Sequence, residues 1–178
     1  MIFMRFYSIL IAFTLIASCN KTDTSKKKAP DVFAMESMKI NGSKIETVND
    51  LQTLFGSPDD TVHYENASNS KIEILSYDHS GLQFYVFEKD SVELYSINFE
   101  VFDGKIDHPK LILNKGVTLA KVREVFKTSY ENRHTYLDEP AGNTKVLFKD
   151  GAGLGEIAMS FENDTLKSFT YNIYPNKF

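Results

Sequence analysis

Cysteine is almost missing from this chain: Cys19 stands alone, so no disulfide can form within it, and stability has to come from apolar burial. Basic charge is also scarce, with 20 Lys and Arg against 24 Asp and Glu. Phosphate backbones demand clustered Lys and Arg, and the shortage excludes nucleic acid as a partner. No apolar run reaches the roughly 20 residues a membrane-spanning helix needs; the longest, Phe6 to Ala17, is twelve residues broken only by hydroxyls. The four histidines, His63, His79, His108 and His134, never sit at i, i+4 with a carboxylate between them, the spacing of a zinc-binding helix. Asp59, Asp60 and His63 beside Pro58 read more simply as a solvated turn than as a cation site. No nucleophile with a base and no paired carboxylates stand out. The glycine-rich run Gly151 to Gly155 lies between two strands, with no helix N-terminus to cradle phosphate. An enzyme is therefore not expected, and neither is a cofactor or a metal.

What is present begins at the N-terminus. Arg5, the apolar run and the small residues Ala17-Ser18 have the form of an export signal peptide over residues 1–18. Leu15-Ile16-Ala17-Ser18-Cys19 resembles the bacterial lipobox, which implies cleavage before Cys19 and modification of its thiol with a diacylglyceryl group. A terminus carrying several acyl chains, palmitate among them, stays on the membrane, because each buried methylene contributes about 0.8 kcal/mol. The implied location is the cell envelope; Asn20 in place of an inner-membrane retention aspartate favours the outer membrane over the inner. Asn20 to Pro30 is polar, and residues 19–36 are expected to be a flexible tether. Past the tether lysines the remainder is acidic, 15 Lys and Arg against 23 Asp and Glu.

Self-similarity organises the rest. Shifting the chain by 74 positions pairs Gly42 with Gly116, Val48 with Val122, Asn69 with Asn143, Gly81 with Gly155, Phe87-Glu88 with Phe161-Glu162, and Asn98 with Asn172. One offset held through so many glycine and apolar positions predicts two tandem repeats, 37–107 and 108–178. Each opens with an amphipathic helix: Val48, Leu51, Leu54 and Phe55 in the first, Val122, Val125 and Phe126 in the second. Ser43 and Thr47 compete as the first N-cap, Thr118 is the second, and Gly56-Ser57-Pro58 ends the first helix. Runs of β type follow at Lys71–Tyr77, Leu82–Glu88 and Ser91–Phe102, echoed at Lys145–Lys149, Glu156–Glu162 and Thr165–Tyr174. Polar joints at Glu88–Ser91 and Glu162–Thr165 fit hairpin turns. The fold class is α+β, each repeat a short helical element on an antiparallel meander of three to four strands.

Gly42, Ile45, Val48, Leu51 and Phe55-Gly56-Ser57-Pro58 resemble the signature of bacterial lipoproteins related to the accessory subunit of the outer-membrane barrel assembly machinery. Two such units in tandem, over residues 37–178, are similar to the β-lactamase inhibitor protein and its lipoprotein relatives. The resemblance implies helices on one face of a sheet and a concave sheet face that grips a partner protein without chemistry. The chain departs from that pattern in lacking the inhibitor's disulfides and in carrying Lys127-Thr128-Ser129-Tyr130 where a second helix stop belongs.

Positions apolar in both repeats predict the helix-covered side: Tyr85, Phe87, Tyr95, Ile97 and Phe99 in the first, Met159, Phe161, Phe169, Tyr171 and Ile173 in the second. Alternation along a strand then puts Leu75, Tyr77, Leu82, Phe84, Val86 and Leu94 on the opposite side, either buried between repeats or exposed as a partner-binding face with Tyr77, Phe84 and Tyr95 as anchors. The expected function is a membrane-anchored protein-binding module of inhibitor, immunity or envelope-scaffold type, its partner another envelope protein or a toxin. The alternative is a carrier holding a small apolar ligand or lipid between helices and sheet, which predicts an internal cavity.

Overall fold

A computed structural model of the protein describes residues 28–65, 71–135 and 143–174; residues 1–18, expected to be an export signal, and Cys19 lie outside them. In chain order come strand β1 (Val32–Phe33), a 3-10 turn at Met35–Ser37, and β2 (Lys39–Ile40). Helix α1 (Val48–Phe55) follows, then strands β3 (Asp60–Glu65), β4 (Lys71–Tyr77), β5 (Leu82–Val86) and β6 (Val92–Asn98). After β7 (Ile106–Asp107) come helices α2 (Leu119–Val125) and α3 (Lys127–Glu131), then β8 (His134–Thr135), β9 (Thr144–Asp150), β10 (Gly155–Glu162) and β11 (Thr165–Ile173). One large sheet runs β1-β9-β10-β11-β6-β5-β4-β3, with β8 also on β9, while β2 and β7 pair separately. The two meanders meet edge to edge where Ser96, Ile97 and Asn98 pair with Thr170, Phe169 and Ser168.

Local chemistry explains the joints. Thr47, and not Ser43, caps α1: its hydroxyl accepts from the Asp50 amide while the Asp50 carboxylate accepts from the Thr47 amide, a reciprocal box that satisfies two orphan donors. Gly56 ends the helix at φ 81°, a conformation a side chain would resist. Thr118 caps α2 by a single bond, its hydroxyl accepting from the Lys121 amide. With no Gly-x-Pro after Phe126, the chain kinks there and winds one more short helix, α3. Asn163 and Asp164 both take positive φ, the two-residue turn that Asn and Asp tolerate, and it folds β10 onto β11.

Residues facing one another in an antiparallel sheet share a side. Tyr77, Leu82, Ile97, Phe169, Met159 and Val146 are paired in register across β4, β5, β6, β11, β10 and β9, and all are buried. The helices cover this row. Phe55 of α1 packs on Tyr77 and Phe84, at 5.5 and 6.2 Å between ring centres. In the second half Phe126, ending α2, meets Phe148 at 5.1 Å and Phe33 at 5.8 Å. Leu51 and Val122 are wholly buried, whereas Leu54, expected in the apolar stripe, is 46% exposed.

Two expectations fail. The tether was to run to residue 36, yet Phe33 has no exposed surface: it lies among Phe126, Phe148, Phe169 and the His108 ring. Burial of Phe33, together with the two hydrogen bonds between Asp31 and Ser129, holds β1 on the outer edge of β9, where Val32 pairs with Lys149 and Phe33 with Asp150. The supposed turn at Asp59–His63 is instead the start of β3, whose His63 pairs with Glu73 of β4. Among the described residues β3 has no neighbour on its outer side, so this strand forms one edge of the sheet, while the other ends in the two-residue strands β1 and β8.

Candidate functional site

The faces of the first meander are the reverse of those expected. Leu75, Tyr77, Leu82, Phe84, Val86 and Leu94 are at most 8% exposed and belong to the core under α1 and the N-terminal segment, so they offer no surface to a partner. Register is the reason. Leu82 faces Ile97 in the first half and Ile157 faces Tyr171 in the second. An offset of 74 carries Ile97 onto Tyr171 but Leu82 onto Glu156, so β5 is displaced by one residue against β6 relative to β10 against β11. A one-residue slip turns every side chain of a strand to the other side. The second-half assignments hold for Met159, Phe161, Phe169 and Tyr171, all buried in the core; in the first half Ile97 and Phe99 hold and Tyr85, Phe87 and Tyr95 do not.

The displaced aromatics form the uncovered side of the sheet. Val62, Ile74 and Tyr85 are paired in one row across β3 to β5, Ile74 itself buried, and Tyr64 faces Ile72 in the next. Tyr95 is the extra residue of a bulge between the Gln83–Ser96 and Phe84–Leu94 pairs. That bulge turns its ring onto Tyr85, 4.6 Å away at 40°, and Phe87 lies 6.0 Å from Tyr85 on the other side. Tyr64 is 55% and Val62 38% exposed. All three helices lie on the opposite face. The corresponding side of β9 to β11 carries Leu147, Ala158, Ser160, Ser168 and Thr170, a more polar continuation.

At the seam between the meanders the strands part. In the register of β6 and β11, Tyr171 would follow opposite Tyr95, but pairing stops at Ser96 and Thr170. Tyr85 substitutes for the lost ladder bond: its hydroxyl donates to the Tyr171 carbonyl at 3.3 Å. Burial, with Tyr95 second, pushes the Tyr85 phenol far above its ordinary range. Close by, the Asp150 carboxylate accepts from the Leu154 amide at 3.1 Å and from the Tyr171 hydroxyl at 3.3 Å. Glu93 has one carboxyl oxygen shut away from solvent with no hydrogen-bond partner. Burial first, then the charges of Asp150 and Glu36, raise its pKa above the ordinary carboxylate value.

Glu93 also borders a cavity of about 280 Å³ between the N-terminal segment and the covered face of β5 and β6. Met35, Met38, Ile40, Ile45, Phe84 and Leu94 supply its apolar wall, and Glu36 joins Glu93 as the polar part. Lys44 and Glu46, an ion pair, stand at its rim.

The groups weighed as cation ligands are kept apart. Asp59 pairs with His79 at 3.0 Å, which lowers the carboxylate and raises the imidazole, while the Asp60 carboxylate accepts from the Thr61 amide. The described residues hold no group of three or more His, Cys, Asp or Glu able to share a metal ion. His108 is buried flat against Phe33, 3.9 Å between ring centres. Burial, aided by the charge of Lys110, lowers its pKa to about 4. The Ala34 amide approaches its Nε2 at 3.3 Å and the Lys110 amide its Nδ1 at 3.2 Å. A neutral imidazole has one acceptor nitrogen and so accepts from only one of them at a time.

Among the described residues no helix is long and apolar enough to cross a membrane. Comparison with protein families, with curated proteins and with solved structures returned no match to this chain.

Proposed function

We propose that this is a lipid-anchored protein of the bacterial cell envelope, tethered through Cys19 after removal of residues 1–18, which acts without chemistry by binding another protein on the uncovered side of its sheet. One observation carries the reading. Among the described residues the helices and the N-terminal segment crowd one face, leaving the other to Val62, Tyr64, Ile72, Tyr85, Phe87 and Tyr95 on adjacent strands. Rigid tyrosines with an apolar body and a polar tip are the residues that dominate protein interfaces. Of the anchors expected from the sequence only Tyr95 remains, now with Tyr64 and Tyr85. Inhibitor, immunity and scaffold roles are variants of this activity.

The resemblance to tandem-repeat inhibitory lipoproteins fits the same reading, and several details support two copies of one unit. Thr47 and Thr118, each an N-cap, bridge to Ser91, just before β6, and to Thr165, the first residue of β11. The Val92 amide donates to the Glu46 carbonyl as the Leu166 amide donates to that of Val117. A Cβ on Gly81 would strike the Asn98 carbonyl oxygen, and one on Gly155 that of Asn172. Gly81 and Gly155, like Val92 and Leu166, keep the offset of 74, whereas capping and burial match Thr47 to Thr118 and Leu51 to Val122, so the spacing closes up by three between the helix and these positions.

Tyr64→Asp tests the reading. Purified wild-type protein is expected to retain a stoichiometric partner from an envelope extract, and the variant to lose it with an unchanged melting temperature. Retention by a folded Tyr64→Asp, Tyr95→Asp double variant refutes the face. The cavity favours a second reading, a carrier of a small apolar ligand; native mass spectrometry of protein purified from its host would then show a bound lipid-sized mass, released by filling the space with Val92→Phe.

A further inference from the structure

The two halves differ sharply in charge. Residues 37–107 hold five Lys against thirteen Asp and Glu, net −8, while residues 108–178 hold ten Lys and Arg against eight, net +2. The chain reaches the fold on the basic half. The Asn132 side-chain amide donates to the Lys28 carbonyl at 2.7 Å, just past the end of α3. Asp31 and Ser129 exchange two bonds, amide to hydroxyl at 2.8 Å and amide to carboxylate at 2.7 Å, and β1 follows at once on β9. Cys19 is nine residues before Lys28, so the acylated terminus lies at most about 30 Å from α3 at the reach of an extended chain.

Around this entry point the cations gather. Lys121, Arg123, Lys127 and Arg133 are exposed on α2, α3 and the residues just after them. Arg123 and Arg133 lie over the ring of Tyr130 at 5.5 and 4.1 Å. Lys28 is exposed beside them. Against these five cations stand Glu124 and Glu131, paired with Lys121 and Lys127, together with Asp31, held by Ser129, and Asp164, which caps the Leu119 amide. From this we infer that the α2–α3 face is a docking surface for anionic lipid headgroups, on which the anchored protein lies with its acidic half turned away from the bilayer. The inference rests on the lipid-anchor reading. Surface attraction of this kind falls off within a Debye length, about 8 Å at physiological salt, so it acts only on the face the tether brings into contact.

The full lipidated chain provides the test, because its only cysteine is acylated and an introduced thiol is unique. Ala120→Cys on α2 and Thr61→Cys on β3, both exposed positions, each carry a fluorescent donor, and the vesicles carry an acceptor on their headgroups. In phosphatidylcholine with phosphatidylglycerol, energy transfer from position 120 is expected to exceed that from 61. The difference should vanish with Lys127→Glu, Arg133→Glu and at about 1 M salt, where the Debye length is about 3 Å. Equal transfer from both positions, or indifference to the charge reversal in a variant whose circular dichroism is native, overturns the inference. Flotation separates it from its premise. A lipidated chain that fails to float with pure phosphatidylcholine refutes the anchor; the face is then decided by the Cys19→Ser chain, whose binding to anionic vesicles should fall at least about tenfold on the same charge reversal.

Discussion

Stability should fall as the solution is acidified from neutral, and His108 sets a measurable part of the fall. Its ring is 6% exposed and stacked on Phe33, and burial holds its pKa at about 4 against an ordinary 6.5. The unfolded imidazole takes up a proton below about pH 6.5 and the folded one does not until about pH 4. Throughout that window the unfolded state binds more protons, so stability is lost as pH drops, and the loss is complete once both states are protonated. At about 1.4 kcal/mol per pH unit, the interval corresponds to roughly 3 kcal/mol. His108→Phe keeps an aromatic ring against Phe33 and removes the titration. It also leaves the amides of Ala34 and Lys110 without the imidazole nitrogens, costing about 1 kcal/mol at every pH. Urea unfolding of both proteins at several pH values from 7 to 3.5 isolates the effect, because titrating carboxylates, Glu93 included, are common to both. Wild type should lose about 3 kcal/mol more than the variant across the range. Parallel pH profiles would refute the picture of a neutral, desolvated imidazole.

Phe84→Asp places a carboxylate at a site 1% exposed under Phe55 and should abolish a cooperative thermal transition or cost at least about 3 kcal/mol in chemical unfolding. A soluble, native-like variant would return this side chain to the surface. Gly81 has φ 66°, and an added Cβ would lie 2.7 Å from the Asn98 carbonyl oxygen. Gly81→Ala should therefore cost about 2 kcal/mol or more in the same assay, and a neutral result would refute the close approach.

The sequence revealed what local chemistry decides alone. Thr47 and Thr118 cap helices, Gly56 ends one, Lys71–Tyr77 is β4 residue for residue, and Asn163-Asp164 makes the tight turn. What it hid was decided between strands. In β5 Leu82, Phe84 and Val86 alternate with Gln83, Tyr85 and Phe87, so both sides are largely apolar and the pattern cannot choose between them. The repeat alignment chose wrongly because the bulges differ: Tyr95 is the extra residue of β6 and Lys167 that of β11, which are not equivalent at an offset of 74. β3 was missed because Asp59-Asp60 after a proline is turn chemistry, and Val62 and Tyr64 are too few to announce a strand. β1 hung on the ring of Phe33 and on the bonds between Asp31 and Ser129, which join distant segments. The unpartnered oxygen of Glu93 and the cavity beside it depend on a seam between distant strands, which no local pattern records.

The missing Gly-x-Pro after Phe126 has a consequence for β1 and the sheet's edges. Because the chain winds on into α3, Ser129 is available to hold Asp31, and the segment so held seals the outer rim of β9. Among the described residues the sheet then ends in the six-residue strand β3 at one margin and in the two-residue strands β1 and β8 at the other. A long row of unpaired backbone groups templates pairing with another chain far better than two short ones, so association through the sheet is concentrated at β3.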